Sequence, residues 1–325
     1  MKKILLSLLL TVIYAQGTFS GVTYFDYTYD LSKDAINDDG FGLKRVYFTY
    51  QETLSENISY KFQTDIDYKS SPINVYLKNA KLEWKSPIIF RSFKLLGKLT
   101  FGMQGMNIFN VTEKTWGFRF LQKSAMDKYK FSSSADVGVA YSGKMNNLNY
   151  SIMYTNGSGY KETENDEHKK TSIQLVYGEK KLVKNDGFNI GLSFAFEPYD
   201  EEQEDEESTI ITNNTMLLSL YSGYAKNGLR VGGEFDRYRD DGSNLTKQII
   251  AAYISYQFTE KLQGLFYIDN YESDKYNDGD VNTDMIIGLN YKPEKGLTMT
   301  PNIRISTPEE GDSTTMFMLN FEFKF

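Results

Sequence analysis

Over much of this chain the side chains alternate with a period of two, in runs longer than ordinary strands. In "GFNIGLSFAFE" (187–197), Phe188, Ile190, Leu192, Phe194 and Phe196 fall on one parity and Asn189, Ser193 and Glu197 on the other. Successive strand side chains point to opposite faces, so such a run has one apolar and one polar face. "FSGVTYFDYTYDL" (19–31), "ISYKFQTDIDYK" (58–69), "LTMTPNIRIST" (297–307) and "FMLNFEFKF" (317–325) repeat the pattern. Each is close to the about 9–11 residues with which a tilted strand crosses a bilayer, whereas globular strands average about 5–6. On this register a charge at Phe194 meets lipid and is costly. A charge at Ser193 enters the interior and is expected to be tolerated.

Sixteen such strands are expected, at about 18–31, 42–52, 58–68, 74–85, 97–104, 134–143, 147–156, 170–180, 187–197, 209–224, 228–239, 246–257, 261–272, 282–292, 296–306 and 313–325. An even number closes into an antiparallel transmembrane β-barrel with both ends on one side of the membrane. Counted from the N-terminus, the even connections include "SEN", "KNG", "TEK" and "PEKG", which are short and rich in turn residues. The odd ones include "SKDAINDD", "NGSGYKETENDEH", "YDEEQEDEES" and "ESDKYNDGD", longer and polar. A membrane barrel segregates its connections in this way; a soluble sandwich has no reason to. The apolar stretch "KSPIIFRSFKLLG" (85–97) is the segment least defined by this pattern.

Composition agrees. The chain is only 40% hydrophobic with a mean hydropathy of -0.47, which excludes spanning helices of roughly 20 apolar residues. Yet it carries 25 Tyr and 22 Phe, as strands with aromatic girdles do. With no Cys there is no disulfide, thiolate site or lipidated cysteine. A net charge of -7 argues against nucleic acid as a partner. "MKKILLSLLLTVIYAQG" (1–17) has a Lys2–Lys3 start, an apolar run and small residues, and reads as a signal peptide cleaved after Ala15 or Gly17. The barrel then covers 18–325. Removing both lysines takes the net charge to -9. The expected location is a Gram-negative outer membrane, with outer-membrane lipid and lipopolysaccharide as surroundings.

The third long connection, about 104–134, is not acidic: Lys114, Arg119, Lys123, Lys128 and Lys130 face Glu113 and Asp127. Loops of that length are usually functional. "LKNAKLEWK" (77–85), "KLTFGMQGMNIF" (98–109) and "TWGFRFLQKSAMDKYKFSSSADVGVAYSG" (115–143) resemble the phosphate-selective porin O/P family. The resemblance implies a sixteen-stranded, trimeric outer-membrane channel whose third extracellular loop folds into the lumen. The terminal Phe325 likewise resembles the signature by which such barrels are handed to their assembly machinery.

Anion selectivity requires basic residues in the pore. Arg119 and Lys123 are the foremost constriction candidates, followed by Lys128 and Lys130. Arg45, Lys61, Lys81, Lys98, Arg230 and Arg304 lie on the inward parity of the strands. Asp26, Asp65, Asp67, Glu83, Glu197, Glu234 and Asp236 share that parity, so the interior is mixed and lacks the arginine ladder of the specific phosphate channels. The loop's basic residues can equally anchor it by pairing with Glu113 or with wall carboxylates.

The pattern fits passive diffusion of small hydrophilic solutes best; the alternatives are a plugged barrel serving adhesion and, less well supported, an envelope hydrolase. His168, the only histidine, sits in "TENDEHKK", a solvated loop away from the wall where catalysis needs it. "NDGDVNTD" (277–284) lacks the spacing and terminal Glu of a calcium loop. No cofactor motif is present. "DEEQEDEES" (200–208) reads as a solvated loop tip, or as a place where divalent cations bridge the loop to lipopolysaccharide.

Overall fold

The alternating runs pair edge to edge in chain order, and the last pairs with the first. The computed structural model describes residues 17–32, 39–67, 73–86, 88–90, 93–164, 166–202 and 210–325. All of the expected signal peptide but Gly17, and most of the 200–208 acidic run, fall outside these residues. The strands are β1 (Thr18–Asp30), β2 (Gly40–Thr53), β3 (Ile58–Asp67) and β4 (Asn74–Lys85). A short hairpin follows, β5 (Ile88–Phe90) and β6 (Phe93–Leu95), then β7 (Gly97–Gly105). After a segment with two short helices come β8 (Ala135–Met145), β9 (Leu148–Thr155), β10 (Lys170–Gly178) and β11 (Gly187–Glu202). The remainder are β12 (Ile210–Lys226), β13 (Leu229–Asp240), β14 (Leu245–Gln257), β15 (Leu262–Glu272), β16 (Val281–Glu294), β17 (Leu297–Pro308) and β18 (Thr314–Lys324). All but β5 and β6 form one closed antiparallel barrel of sixteen strands.

The faces divide as the alternation dictates. Exposed apolar side chains ring the outside, among them Phe19, Phe48, Trp84, Phe101, Ile152, Ile190, Leu218, Ile254, Ile287 and Phe317. The opposite parity is polar and buried: Asp26, Ser172, Gln174, Ser193, Asp269, Thr300 and Asn320. Apolar out and polar in is the reverse of a water-soluble domain.

At the closing seam, β1 and β18 pair from Val22↔Lys324 to Asp30↔Met316. Phe25 stacks on Phe321 with ring centroids 4.2 Å apart and on Phe323 at 5.2 Å. Phe325 exchanges two backbone hydrogen bonds with Gly21. A Cβ at residue 21 would stand 2.1 Å from the Phe325 ring, so that position admits only glycine while the ring stays put. The turn between β12 and β13 has φ 51° at Asn227 and 83° at Gly228, the left-handed pair that a tight hairpin turn requires.

Two even connections are longer than the turn pattern led us to expect. The 86–96 stretch holds the β5–β6 hairpin. The 179–186 stretch buries Leu182, which lies against Gly223.

Candidate functional site

Residues 106–134 are not structureless. They contain α1 (Asn110–Trp116), capped by Gly117 at φ 78°, and α2 (Ala125–Lys128). The segment is laid along the buried face of β9 to β17. The side-chain amide of Asn107 donates to Ser151 while its carbonyl accepts from Ser172 at 2.7 Å, and the Ile108 carbonyl accepts from Ser193 at 2.8 Å. Trp116, 1% exposed, is wedged against Phe118, Tyr253 and Tyr267 at centroid distances of 5.0, 5.5 and 4.9 Å. Its indole N–H donates to the Gln122 carbonyl. Arg230 donates to the Trp116 carbonyl at 3.0 Å and lies over the Phe118 ring. Arg304 donates to the Leu121 carbonyl at 2.6 Å and to the Gln122 side chain. Lys128 pairs with Asp269 at 2.9 Å and with Asp284. Tyr129 stacks on Tyr271 at 3.9 Å and donates to Asp269.

Ser193 corrects an expectation. Its hydroxyl is fully buried beneath Ile108, so an arginine there has no open space to enter.

The other side of the interior, formed by β1 to β4, faces two cavities. The first, about 510 Å³, has Asp26, Lys44, Arg45 and Asp65 on one flank and Arg119, Lys123 and Lys130 on the other, with Lys161 and Arg304 completing its charge. Seven basic side chains meet two acidic ones there. Arg45 pairs with Asp65, and Lys44 lies 3.3 Å from Asp26. Arg119 is held by Glu113 and by Asp127 at 2.7 Å, and Lys123 reaches Asp127 at 3.2 Å. Burial opposes ionisation of Asp127, but Arg119 and Lys123 outweigh it and hold its pKa below the ordinary carboxylate value. Lys130 is exposed, with φ 59°. A left-handed conformation is costly for a lysine and is typical of functional segments.

The second cavity, about 900 Å³, gathers Lys61 of β3, Lys81 of β4, Lys114 of α1 and Lys181 of the 179–186 connection; Glu52 and Glu83 are its acids. Glu83 already pairs with Lys81 and Lys98, each at 2.7 Å. Burial, then Lys181, Lys81 and Lys98, lower the pKa of Lys114. Like charges from four separate elements are therefore held close together.

Of the ten basic candidates, Arg45, Arg119, Lys123, Lys130 and Arg304 line the first cavity and Lys61 and Lys81 the second. Lys98 reaches the second through Glu83. Lys128 and Arg230 lie against the opposite wall. The side chain of Asp67 is outside the described residues. Sequence reading missed Lys44 and Lys78. The β1–β2 register shifts between Tyr24 and Phe25, and the β3–β4 register between Gln63 and Thr64. Each bulge turns one additional residue inward. Lys78 is consequently buried, donating to Ser134 with its ammonium 3.5 Å from the Tyr160 ring centre.

The Nε2 of His168 lies 2.8 Å from Asp200, and the Thr212 hydroxyl donates to that same carboxylate oxygen. A hydrolase would need the hydroxyl turned toward the imidazole instead.

Solved structures share this architecture. Salmonella typhi OmpF, in complex with daunomycin, aligns at TM-score 0.69 and 12% identity over 95% of this chain and 97% of that one. Its fold is porin-like. An anion-selective porin from Comamonas acidovorans aligns at TM-score 0.67 and 12% identity, covering 95% and 99%. A loop L8 deletion mutant of OmpT, an outer membrane protein of Vibrio cholerae, aligns at 0.66 and 14%, covering 95% and 99%. No protein-family model and no curated protein sequence matches the chain.

Proposed function

We propose that this chain is an outer-membrane channel for passive diffusion of small hydrophilic solutes, weakly selective for anions. On this reading the apolar outer face meets lipid and lipopolysaccharide, and residues 106–134 lie in the lumen. The two cavities are successive parts of one path along β1 to β4. The observation that carries the proposal is the excess of basic over acidic groups in both cavities. In a confined space such charges act at short range and are poorly screened, whereas acidic groups beyond the mouth are screened within about 8–10 Å. Signal-peptide cleavage, delivery by the barrel-assembly machinery and a homotrimeric state belong to the same proposal. The family resemblance adds phosphate to the anions worth testing. Reconstitution in a planar bilayer tests it: discrete conductance steps with a reversal potential of anion-selective sign support the reading, and a cation-selective sign contradicts it.

One observation favours a second reading. The segment is bonded to strands from β9 to β17, with Lys128 and Arg304 serving as anchors. A barrel plugged in this way, with a structural or adhesive role, would give no conductance steps.

A further inference from the structure

Several carboxylates around the interior have a basic partner. Asp65 has Arg45, Glu83 has two lysines, Glu197 has Lys170, and Asp269 and Asp284 share Lys128. Glu234 and Asp236 of β13 differ. They are 5% and 0% exposed, and Glu234 Oε2 and both Asp236 carboxylate oxygens have no hydrogen-bond partner. Across the ladder on β12, Ser219 stands opposite Asp236, fully buried, its hydroxyl close to that carboxylate but making no hydrogen bond of normal geometry. On the other flank β14 offers only Ala251 and Ile249. Above them lies the 106–134 segment, whose Thr112 hydroxyl and Ala125 amide approach Glu234.

We propose that Glu234, Asp236 and Ser219 form a buried site for a divalent cation, Ca²⁺ by the chemistry of its ligands, which fastens the 106–134 segment to the wall. Two buried carboxylates without a counter-charge are strongly unfavourable, and one dication neutralises both. The unpartnered atoms are all hard oxygens, the ligand type Ca²⁺ prefers. Mg²⁺ fits less well, because it demands near-ideal octahedral geometry at short metal–oxygen distances, whereas Ca²⁺ accepts an irregular set of oxygens. Glu234 and Asp236 are two residues apart on β13 and so share its buried face. The remaining coordination falls to the second carboxylate oxygens and to backbone carbonyls or water.

The test refolds the full chain into detergent micelles in chelator-treated buffer, with and without added Ca²⁺. Metal retained after desalting and the thermal midpoint are then measured. Wild type should retain one Ca²⁺ per chain and melt higher with it. Asp236→Asn and Ser219→Ala should each weaken Ca²⁺ binding by at least about tenfold. Asp200→Asn, at the edge of the acidic extracellular run, should leave that tight Ca²⁺ in place. Should Asp236→Asn fail to fold, Ser219→Ala decides, because it keeps both carboxylates. Retention of no Ca²⁺ by wild type, or equal retention by wild type and Ser219→Ala, overturns the proposal. A Ca²⁺-independent rise in midpoint for Asp236→Asn also overturns it, in favour of a protonated carboxyl pair.

Discussion

The wall from β9 to β17 and the wall from β1 to β4 are built from the same alternation of apolar and polar residues, yet their inner faces do different work. On the first, polar side chains are consumed in holding the 106–134 segment: Ser172, Ser193, Asp269 and Arg304 all bond to it. On the second, Lys44, Arg45, Lys61 and Lys81 face cavities. Binary patterning decides only which side chains point inward. Whether an inward residue becomes an anchor or a lining group depends on where the long connection lies down.

Trp116 has the largest fully buried side chain in the 106–134 segment. Trp116→Ala removes a fully buried indole from between Tyr253 and Tyr267 and should cost about 3–5 kcal/mol. With the segment loosened from β14 and β15, single-channel conductance should rise and become noisier. Unchanged conductance would mean that the segment does not set the width of the path.

Arginine substitutions sharpen the contrast between the walls. Phe194→Arg puts a charge on the outer face and should cost about 2–4 kcal/mol if that position lies near the bilayer midplane. Ser193→Arg should also impair folding into lipid vesicles, because Ile108 covers that site. Ser59→Arg, at the edge of the second cavity, should fold normally. Equal folding yields for Ser193→Arg and Ser59→Arg would erase the distinction.

The smallest effect is expected outside both walls. Asp200 hydrogen-bonds His168 and raises its pKa above 6.5. Because the folded value exceeds the unfolded one, this support for the 157–169 loop is complete below about pH 6.5 and is lost as pH rises through the raised value. Limited proteolysis should show wild type more protected than His168→Asn at low pH, with the difference vanishing at alkaline pH. A difference independent of pH would point to packing rather than charge.

The strand pattern was legible because residue period and burial coincide around nearly the whole ring. The bulges were legible in principle. Apolar positions run Val75, Leu77, then Ala80, Leu82 and Trp84; the jump of three residues marks where Lys78 and Asn79 both turn inward. Phe41 and Leu43, followed by Val46 and Phe48, repeat the signal beside Lys44 and Arg45. The covering of Ser193 was not legible, since it depends on the path of a segment more than eighty residues earlier. Nor was the arrival of Lys181 beside Lys114, which follows from Leu182 packing inward. Periodicity constrains a strand's faces and says nothing about what a connection will cover.

On the function proposed above, the basic groups on the β1–β4 side, and not the anchors, set the selectivity of the path. Lys61 and Lys130 offer one lysine at each cavity, both apart from the anchoring ion pairs of Lys128. The direct measurement is the reversal potential of Lys61→Glu/Lys130→Glu in a salt gradient, beside wild type and the anchor variant Lys128→Met. We expect a swing toward cations in the double variant, with conductance steps retained, and a wild-type sign in Lys128→Met. An unchanged reversal potential in the double variant, or an equal swing in both, would contradict the account.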